Sequence, residues 1–485
     1  MPLVHEIGAM ADRGTVLAVL ELLWVLGVTA WMLLERRSPT ATIAWILALS
    51  VIPVLGIPVY LFLGPRRLQR KKVRLALARR GRDTWLRAWE AEAEGEPAGR
   101  QQLMRLATRL AGMPPETALA LSIHADGDGC LDALEKAIGE ARNHVHLEYY
   151  IFRADRAGTR IRDALAERAR AGVQVRLLVD AVGSASLGSR FLAPLRSAGG
   201  EVARFNPGPW RRLRRPLPNF RTHRKIAVCD GLVGFTGGMN VSDDQSRSAA
   251  GRRAWRDTHL RIEGAAVHGL QLTFLEDWAF ATGRGDRAPS LQMLLPYFPQ
   301  APRGSHRVQI VASGPDQDVH AIEAFYFAAI TGARERVWIT TPYFVPDESL
   351  VAALRSAALR GVDVRLILPH RTDSRLVDAA GSTYHDALLD AGARIFFYEP
   401  SMIHAKTGLF DRDLAVVGTA NLDNRSLRLN FEVVAAIYGG PAVEELAALF
   451  ERDLAHCRPR ARREARGPLG RRLLASAARL LAPQL

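Results

Sequence analysis

Apolar and polar positions alternate along the chain in three distinct rhythms. Near the N-terminus, residues 15–34 are apolar apart from Thr15, Glu21 and Thr29, and residues 41–63 form a second apolar run that contains Pro53, Gly56 and Pro58. A bilayer core is crossed by about 20 such residues, so the two runs, joined by a loop holding Glu35, Arg36 and Arg37, predict a transmembrane helical hairpin. A cleaved signal peptide fits poorly, because residues 1–14 carry little positive charge and a second apolar run comes after the first. Further along, the apolar strand Val145–Ile151, an amphipathic helical stretch and the strand Val173–Leu178 come after Ala141-Arg142. The same series returns as Ala333-Arg334, Val337–Tyr343, a helix and Val362–Ile367. Strand, helix, strand twice over predicts two similar α/β domains with helix-covered sheets.

The expected organisation is two transmembrane helices in 1–65, a basic juxtamembrane linker in 66–115, α/β domains in 116–300 and 301–457, and a basic amphipathic tail in 458–485. With 485 residues and 48% hydrophobic content, the chain can bury two cores and is not disordered. Its three cysteines, Cys130, Cys229 and Cys457, are too few and too irregularly spaced for a disulfide framework or a cysteine metal site.

Charge sharpens the picture. The formal net charge is +15, which suits nucleic acid or an anionic lipid surface. Nine lysines or arginines and no acid occupy 66–82, which by the positive-inside rule puts the two α/β domains in the cytoplasm. The apolar hairpin favours lipid over nucleic acid, since basic residues beside a membrane gain roughly 1 kcal/mol each near an anionic leaflet. Further basic clusters lie at Trp210–Arg215 and in the tail, where Leu473, Leu474, Leu480 and Leu481 predict a helix suited to a membrane interface.

Candidate chemistry lies in a duplicated triplet: His223, Lys225 and Asp230, then His404, Lys406 and Asp411, both H-x-K-x-x-x-x-D. Each is followed by a small-residue run ending in asparagine, Gly237-Gly238-Met239-Asn240 and Gly418-Thr419-Ala420-Asn421. In an extended segment i and i+2 share a face, so an imidazole stands beside an ammonium. A charged lysine has no lone pair to offer a metal, and the pairing points to an anion such as phosphate. His144 and His146 alternate on an apolar strand without acidic or cysteine partners and read as structural, and Asp126-Gly-Asp-Gly129 reads as a hairpin turn, since no Glu stands at the twelfth position of a calcium loop.

These triplets resemble those of the phospholipase D superfamily, and Trp255–Gly264, Phe274–Trp278, Pro342-Tyr-Phe344 and the paired N-terminal apolar segments resemble bacterial cardiolipin synthases over nearly the whole chain. Thr419 stands where the superfamily usually has serine, retaining the hydroxyl. The resemblance implies two phospholipase D-like domains sharing one active site, with no metal or other cofactor. Lys225, Lys406, Asn240 and Asn421 would hold a phosphodiester, His223 would be the nucleophile and His404 the acid and base. Asp257 would orient His404, and Glu432 would orient His223. Asp230 and Asp411 would complete the triplets as structural or supporting groups. The implied substrate is phosphatidylglycerol, converted to cardiolipin and glycerol at the bacterial inner membrane, with phosphatidylethanolamine as the alternative for one of the two lipids. Hydrolysis by a membrane-anchored phospholipase D uses the same residues, as does a nuclease, although no nucleic acid partner is expected. A non-catalytic scaffold is disfavoured by two intact triplets.

Overall fold

Strands run in chain order as β1 (Glu116–Ala118), β2 (Ala120–His124), β3 (His144–Tyr149), β4 (Gln174–Asp180), β5 (Glu201–Phe205), β6 (Lys225–Cys229), β7 (Val233–Gly237) and β8 (His259–Glu263). The second half continues with β9 (His306–Ser313), β10 (Arg336–Thr340), β11 (Phe344–Val345), β12 (Asp363–Pro369), β13 (Arg394–Tyr398), β14 (Thr407–Phe410), β15 (Leu414–Gly418), β16 (Leu422–Asp423), β17 (Glu432–Tyr438) and β18 (Cys457–Pro459). They come from a computed structural model that describes residues 2–34, 39–52, 56, 60, 97–206, 219–283, 291–461 and 469–482. It falls into two units, Met1–Arg67 and Leu68–Leu485.

The larger unit holds the duplication. One sheet has the order β2-β8-β7-β6-β3-β4-β5 and the other β1-β9-β17-β15-β14-β10-β12-β13-β18. Without the edge strands β1 and β18, the second order repeats the first strand for strand. In each, three parallel strands (β3-β4-β5, β10-β12-β13) continue into an antiparallel set through β6 or β14. The outer faces are covered by helices Gly127–Glu140, Arg156–Arg170 and Ser189–Ser197 in the first half, and by Ala321–Gly332, Glu348–Leu359 and Arg375–Asp390 in the second. The inner faces meet in one shared core: Ile226, Val228, Leu260 and Ile262 pack with Val308, Ile310, Val433 and Ala435, joined by helices Val267–Ala281 and Pro441–Leu454. Strand alternation explains the division, since Ala227 and Cys229 of β6 point to the outer core while Ile226 and Val228 point to the shared one.

Two expectations need correction, and a third is met only in part. Residues 97–118 are not linker or first domain: helix Ala98–Ala111 buries Met104, Ala107 and Ala111 in the core of the second half, and β1 pairs with β9. Asp126–Gly129 is no hairpin turn but the start of helix Gly127–Glu140, where the Asp126 side chain accepts from Gly129 N at 2.8 Å as an N-cap. The third concerns the membrane hairpin. Helices form at Pro2–Leu34 and Pro39–Val51, and they pack through Val28, Met32 and Leu49, with Trp24 Nε1 donating to Leu49 O at 3.0 Å. Yet among the described residues no helix is long and apolar enough to cross a membrane. The second helix is described over Pro39–Val51, with Gly56 N donating to Ile52 O at 2.6 Å beyond it, and residues 53–55 and 57–59 lie outside the described residues.

The hairpin loop, the basic segment 66–82 and the cluster Trp210–Arg215 lie outside the described residues. The tail is described in part: β18 pairs with β13, and helix Leu469–Leu480 lies on helix Arg375–Asp390, burying Ala478 and Ala482 and placing Arg479 over the Tyr384 ring at 4.9 Å.

Candidate active site

Each half feeds its triplet into the site through a short segment that pairs with the other half. Thr222 and Phe431 form a parallel bridge, with His223 N donating to Phe431 O and Phe431 N to Arg221 O, both at 2.9 Å. The mirror contact joins Arg256 and Ile403, with His404 N donating to Arg256 O at 2.6 Å and Arg256 N to Met402 O at 2.9 Å. The strand that carries one histidine is therefore stitched to the strand that carries the opposite carboxylate.

The consequence is an exchange of partners. His223 Nδ1 lies 3.0 Å from Glu432 Oε1 and 3.1 Å from the Thr419 carbonyl oxygen, while His404 Nδ1 lies 2.6 Å from Asp257 Oδ2. A carboxylate on Nδ1 fixes the tautomer with its proton there and leaves Nε2 with the lone pair, as in the Ser-His-Asp arrangement. Thr419 Oγ1 donates to Glu432 Oε2 at 2.5 Å, so the hydroxyl that stands in place of serine positions the glutamate. At the corresponding place in the first half, Gly238 admits Asp257: a Cβ there would sit 2.0 Å from Oδ1.

Both lysines are buried at the start of their strands. Lys225 Nζ donates to His223 O at 2.7 Å, and Lys406 Nζ donates to His404 O. One backbone carbonyl satisfies one of an ammonium's three donors, and the others suit anionic oxygens. Burial pulls the Lys225 ammonium down to about 7, opposed by Glu432 and reinforced by Lys406. Lys406 falls to about 8, again by burial, with Asp257 and Glu432 opposing. His223 is lowered by burial, partly offset by Glu432, and His404 is lowered strongly by burial and then by Lys406. Burial would raise Asp257 and Glu432, but His404 and Lys406 on the one, and His223 and Lys225 on the other, hold both carboxyls below their usual range. The exchanged carboxylates and the mutual influence of Lys225 and Lys406 bring both histidine–lysine pairs around one centre.

Asn240 and Asn421 are buried at the ends of their small-residue runs; Asn240 Oδ1 accepts from Ile151 N at 3.2 Å, and Asn421 Oδ1 has no partner among the described residues. Asp230 and Asp411 are elsewhere. Each comes after the far end of its strand, and Asp230 accepts from the backbone of Arg142, Asn143 and His144 at 2.7–2.9 Å. Asp411 accepts from Arg334, Glu335 and Arg336 at 2.7–3.2 Å. Five strand residues span roughly 16 Å, so neither aspartate touches the histidine of its own triplet.

Sequence reasoning passed over several supporting groups. The Tyr150 ring stands edge-on to His223 at 4.9 Å, and Trp255 flanks His404 at 4.9 Å. Arg224, next to His223, pairs with buried Asp277 and donates to the main-chain oxygens of Glu432 and Ser313, both at 3.1 Å, tying the triplet to β17. Asp277 lies inside Phe274–Trp278, and its buried acid among aromatics was the available signal. His144 Nε2 and His146 Nδ1 share the Gln271 amide at 3.0 and 2.9 Å, and Cys229 is buried.

Residues 134–255 and 326–454 match the family described as "Cardiolipin synthase, PLD-like domain", and residues 17–65 match "Phospholipase D-nuclease N-terminal". Cardiolipin synthase 1 of Bacillus cereus is 37% identical over 443 residues, covering 89% of this chain and 86% of its own length. The cardiolipin synthase of Geobacillus kaustophilus is 40% identical over 432 residues, covering 87% and 84%. In fold the chain is similar to a phosphatidylserine synthase of Haemophilus influenzae, with a TM-score of 0.59 at 14% identity over 79% of this chain and all of that one. Two α/β halves closing on one pair of histidines, together with relatives this similar over most of their length, make the chain a member of the bacterial cardiolipin synthases of the phospholipase D superfamily, a phosphatidyltransferase.

Proposed function

We propose that the enzyme transfers a phosphatidyl group from one phosphatidylglycerol to another, giving cardiolipin and glycerol through a covalent phosphohistidine. The observation that carries this is the exchange of carboxylates, which engages the Nδ1 of two histidines and leaves their Nε2 available beside two buried lysines. His223 Nε2 attacks phosphorus, the bond to the glycerol oxygen breaks, and His404 gives that oxygen a proton. His404 then takes the proton of the second lipid's terminal hydroxyl, whose oxygen attacks phosphorus and frees His223. Lys225, Lys406, Asn240 and Asn421 neutralise the phosphoryl oxygens as charge redistributes. The anionic substrate between the lysines offsets the depression of His404, so that it carries a proton in the complex. The roles of the two histidines are taken from the family resemblance. Asp230 and Asp411 serve as struts.

The same proposal places the reaction at the bacterial inner membrane. Supporting it, helix Pro2–Leu34 exposes Leu20, Leu22, Leu23 and Leu26, each more than half, and the C-terminal helix turns Leu469, Leu473, Leu474 and Leu480 outward while docking by its alanines. Apolar faces of this extent call for lipid. The deciding experiment is the product profile in mixed micelles of labelled phosphatidylglycerol. Cardiolipin with one glycerol released per turnover from wild type, and none from His223→Ala or His404→Ala, is expected. Phosphatidic acid as the sole product would make the protein a hydrolase.

A further inference from the structure

The second half holds a cavity of about 690 Å³ at the C-terminal ends of β10, β12 and β13, outside the constellation of histidines and lysines. Its walls carry Arg371, Arg375, Arg458 and Arg460 against a single carboxylate, Asp378, and its floor includes Phe344 and Phe397. Arg371 of the β12 loop and Arg375, the first residue of helix Arg375–Asp390, are exposed and pair with no carboxylate among the described residues. Arg458 faces Glu399 at 3.5 Å and Arg460 faces Asp386 at 3.5 Å. The cavity adjoins the reaction centre: Pro342 lines it two residues beyond Thr340, which pairs with Thr407 next to Lys406. Asp373, in the same β12 loop, hydrogen-bonds Tyr343 at 2.6 Å and is close enough to act on Lys406.

Duplication makes the cavity's charge informative. The corresponding loop of the first half, residues 181–188, is Ala-Val-Gly-Ser-Ala-Ser-Leu-Gly and carries no ionisable side chain, and the helix after it begins Ser189-Arg190 where the second half has Arg375. Apart from β1 and β18 the halves share strand order and histidine, lysine and asparagine positions, so cationic walls built from the β12 loop and from β18, which has no counterpart in the first half, reflect a task that only one half performs. The proposed transfer sets such a task. Two lipids, each with an anionic phosphodiester, must meet at one centre, and like charges at that range repel. The lysine pair accommodates one. The other needs cationic walls within reach of the first phosphorus, with apolar surface for its glyceride end.

We propose that this cavity holds the phosphodiester headgroup of the acceptor lipid, with Arg371 and Arg375 as its specificity-determining residues. The assignment rests on the transferase reading above. A guanidinium contributes charge-assisted hydrogen bonds to phosphodiester oxygens, and losing one contact costs roughly tenfold or more. Its loss weakens acceptor capture and leaves donor cleavage intact, and water then intercepts the covalent intermediate.

The test compares wild type, the double variant Arg371→Ala/Arg375→Ala and the conservative Arg371→Lys/Arg375→Lys in phosphatidylglycerol micelles, reading cardiolipin and phosphatidic acid together. The expected result is a cardiolipin to phosphatidic acid ratio at least tenfold lower in the alanine variant, with glycerol release near the wild-type rate, and partial recovery in the lysine variant. An unchanged ratio, or both products falling in proportion, overturns the assignment. Inorganic phosphate added to wild type forms a separate arm: if it lowers the ratio as far as the alanine variant does, the cavity takes a free anion and the lipid assignment falls. Absence of cardiolipin from wild type would instead defeat the transferase reading itself, so the two failures are told apart.

Discussion

Replacing Gly238 with alanine places a methyl group where Asp257 now sits. The new carbon would lie 2.0 Å from Oδ1, 2.7 Å from Cγ and 2.8 Å from Oδ2 of that carboxylate. Relief requires Asp257 to withdraw by about 1 Å or more to restore van der Waals separation. The carboxylate is held by Thr258 N at 2.7 Å and by His404 at 2.6 Å, and its withdrawal releases the imidazole. A misplacement of this size in a catalytic group costs about 10²-fold in rate, close to 2.7 kcal/mol of barrier, and crowding the interior takes a further 1–3 kcal/mol from stability. Turnover measured by glycerol release should therefore fall about 100-fold in a protein that still folds, with a lowered melting temperature. Turnover within threefold of wild type at unchanged melting temperature would show that the carboxylate does not depend on the gap, and the account of how His404 is oriented would fail.

Other consequences are open to simpler measurements. Thr419→Val removes the hydroxyl that donates to Glu432 at 2.5 Å; turnover should drop about tenfold, as for one buried hydrogen bond to a charged group, and Thr419→Ser should restore it, whereas equal activity in the valine variant would refute the role. Asp230→Ala frees three backbone amides and should cost about 2–4 kcal/mol of unfolding free energy by denaturant titration, with turnover per folded molecule nearly unchanged; a collapse of turnover at full stability would return Asp230 to the chemistry. Because burial lowers Lys225 to about 7 and Lys406 to about 8, the charged forms that bind phosphate are lost as pH rises through that window. kcat/KM, which reports the free enzyme, should decline there, and a profile flat to pH 9 would contradict the assignment.

The duplication was legible because strand periodicity and a fixed triplet spacing are local properties, and the sheets repeat each other as the repeated strands predicted. Misreadings came where local signals were ambiguous or the partner was distant. Asp-Gly-Asp-Gly fits a turn as well as an N-cap; the spacing of Cys130, Leu131, Leu134 and Ile138, all buried, decides for the helix. Residues 98–115 look like linker, and 116–118 like the start of the first domain, until β9 supplies the edge that β1 pairs with. Apolarity alone suggested two full spans, and among the described residues only the helices Pro2–Leu34 and Pro39–Val51 are seen, neither long and apolar enough to cross a membrane. The aromatic rings beside each histidine, the Arg224–Asp277 pair and the gap at Gly238 depend on contacts between halves, which no periodicity records.

The exchange of carboxylates has a bearing on how the protein comes into being. A ribosome releases His223 about two hundred residues before it makes Glu432, and in that interval Asp257 likewise waits for His404. The growing chain is thus an incomplete site: an emerging first half has an imidazole with no carboxylate behind it and a carboxylate with no imidazole to hold. The pairing of both histidines is complete only with β17, so on the proposed mechanism reactivity arrives in a single late step.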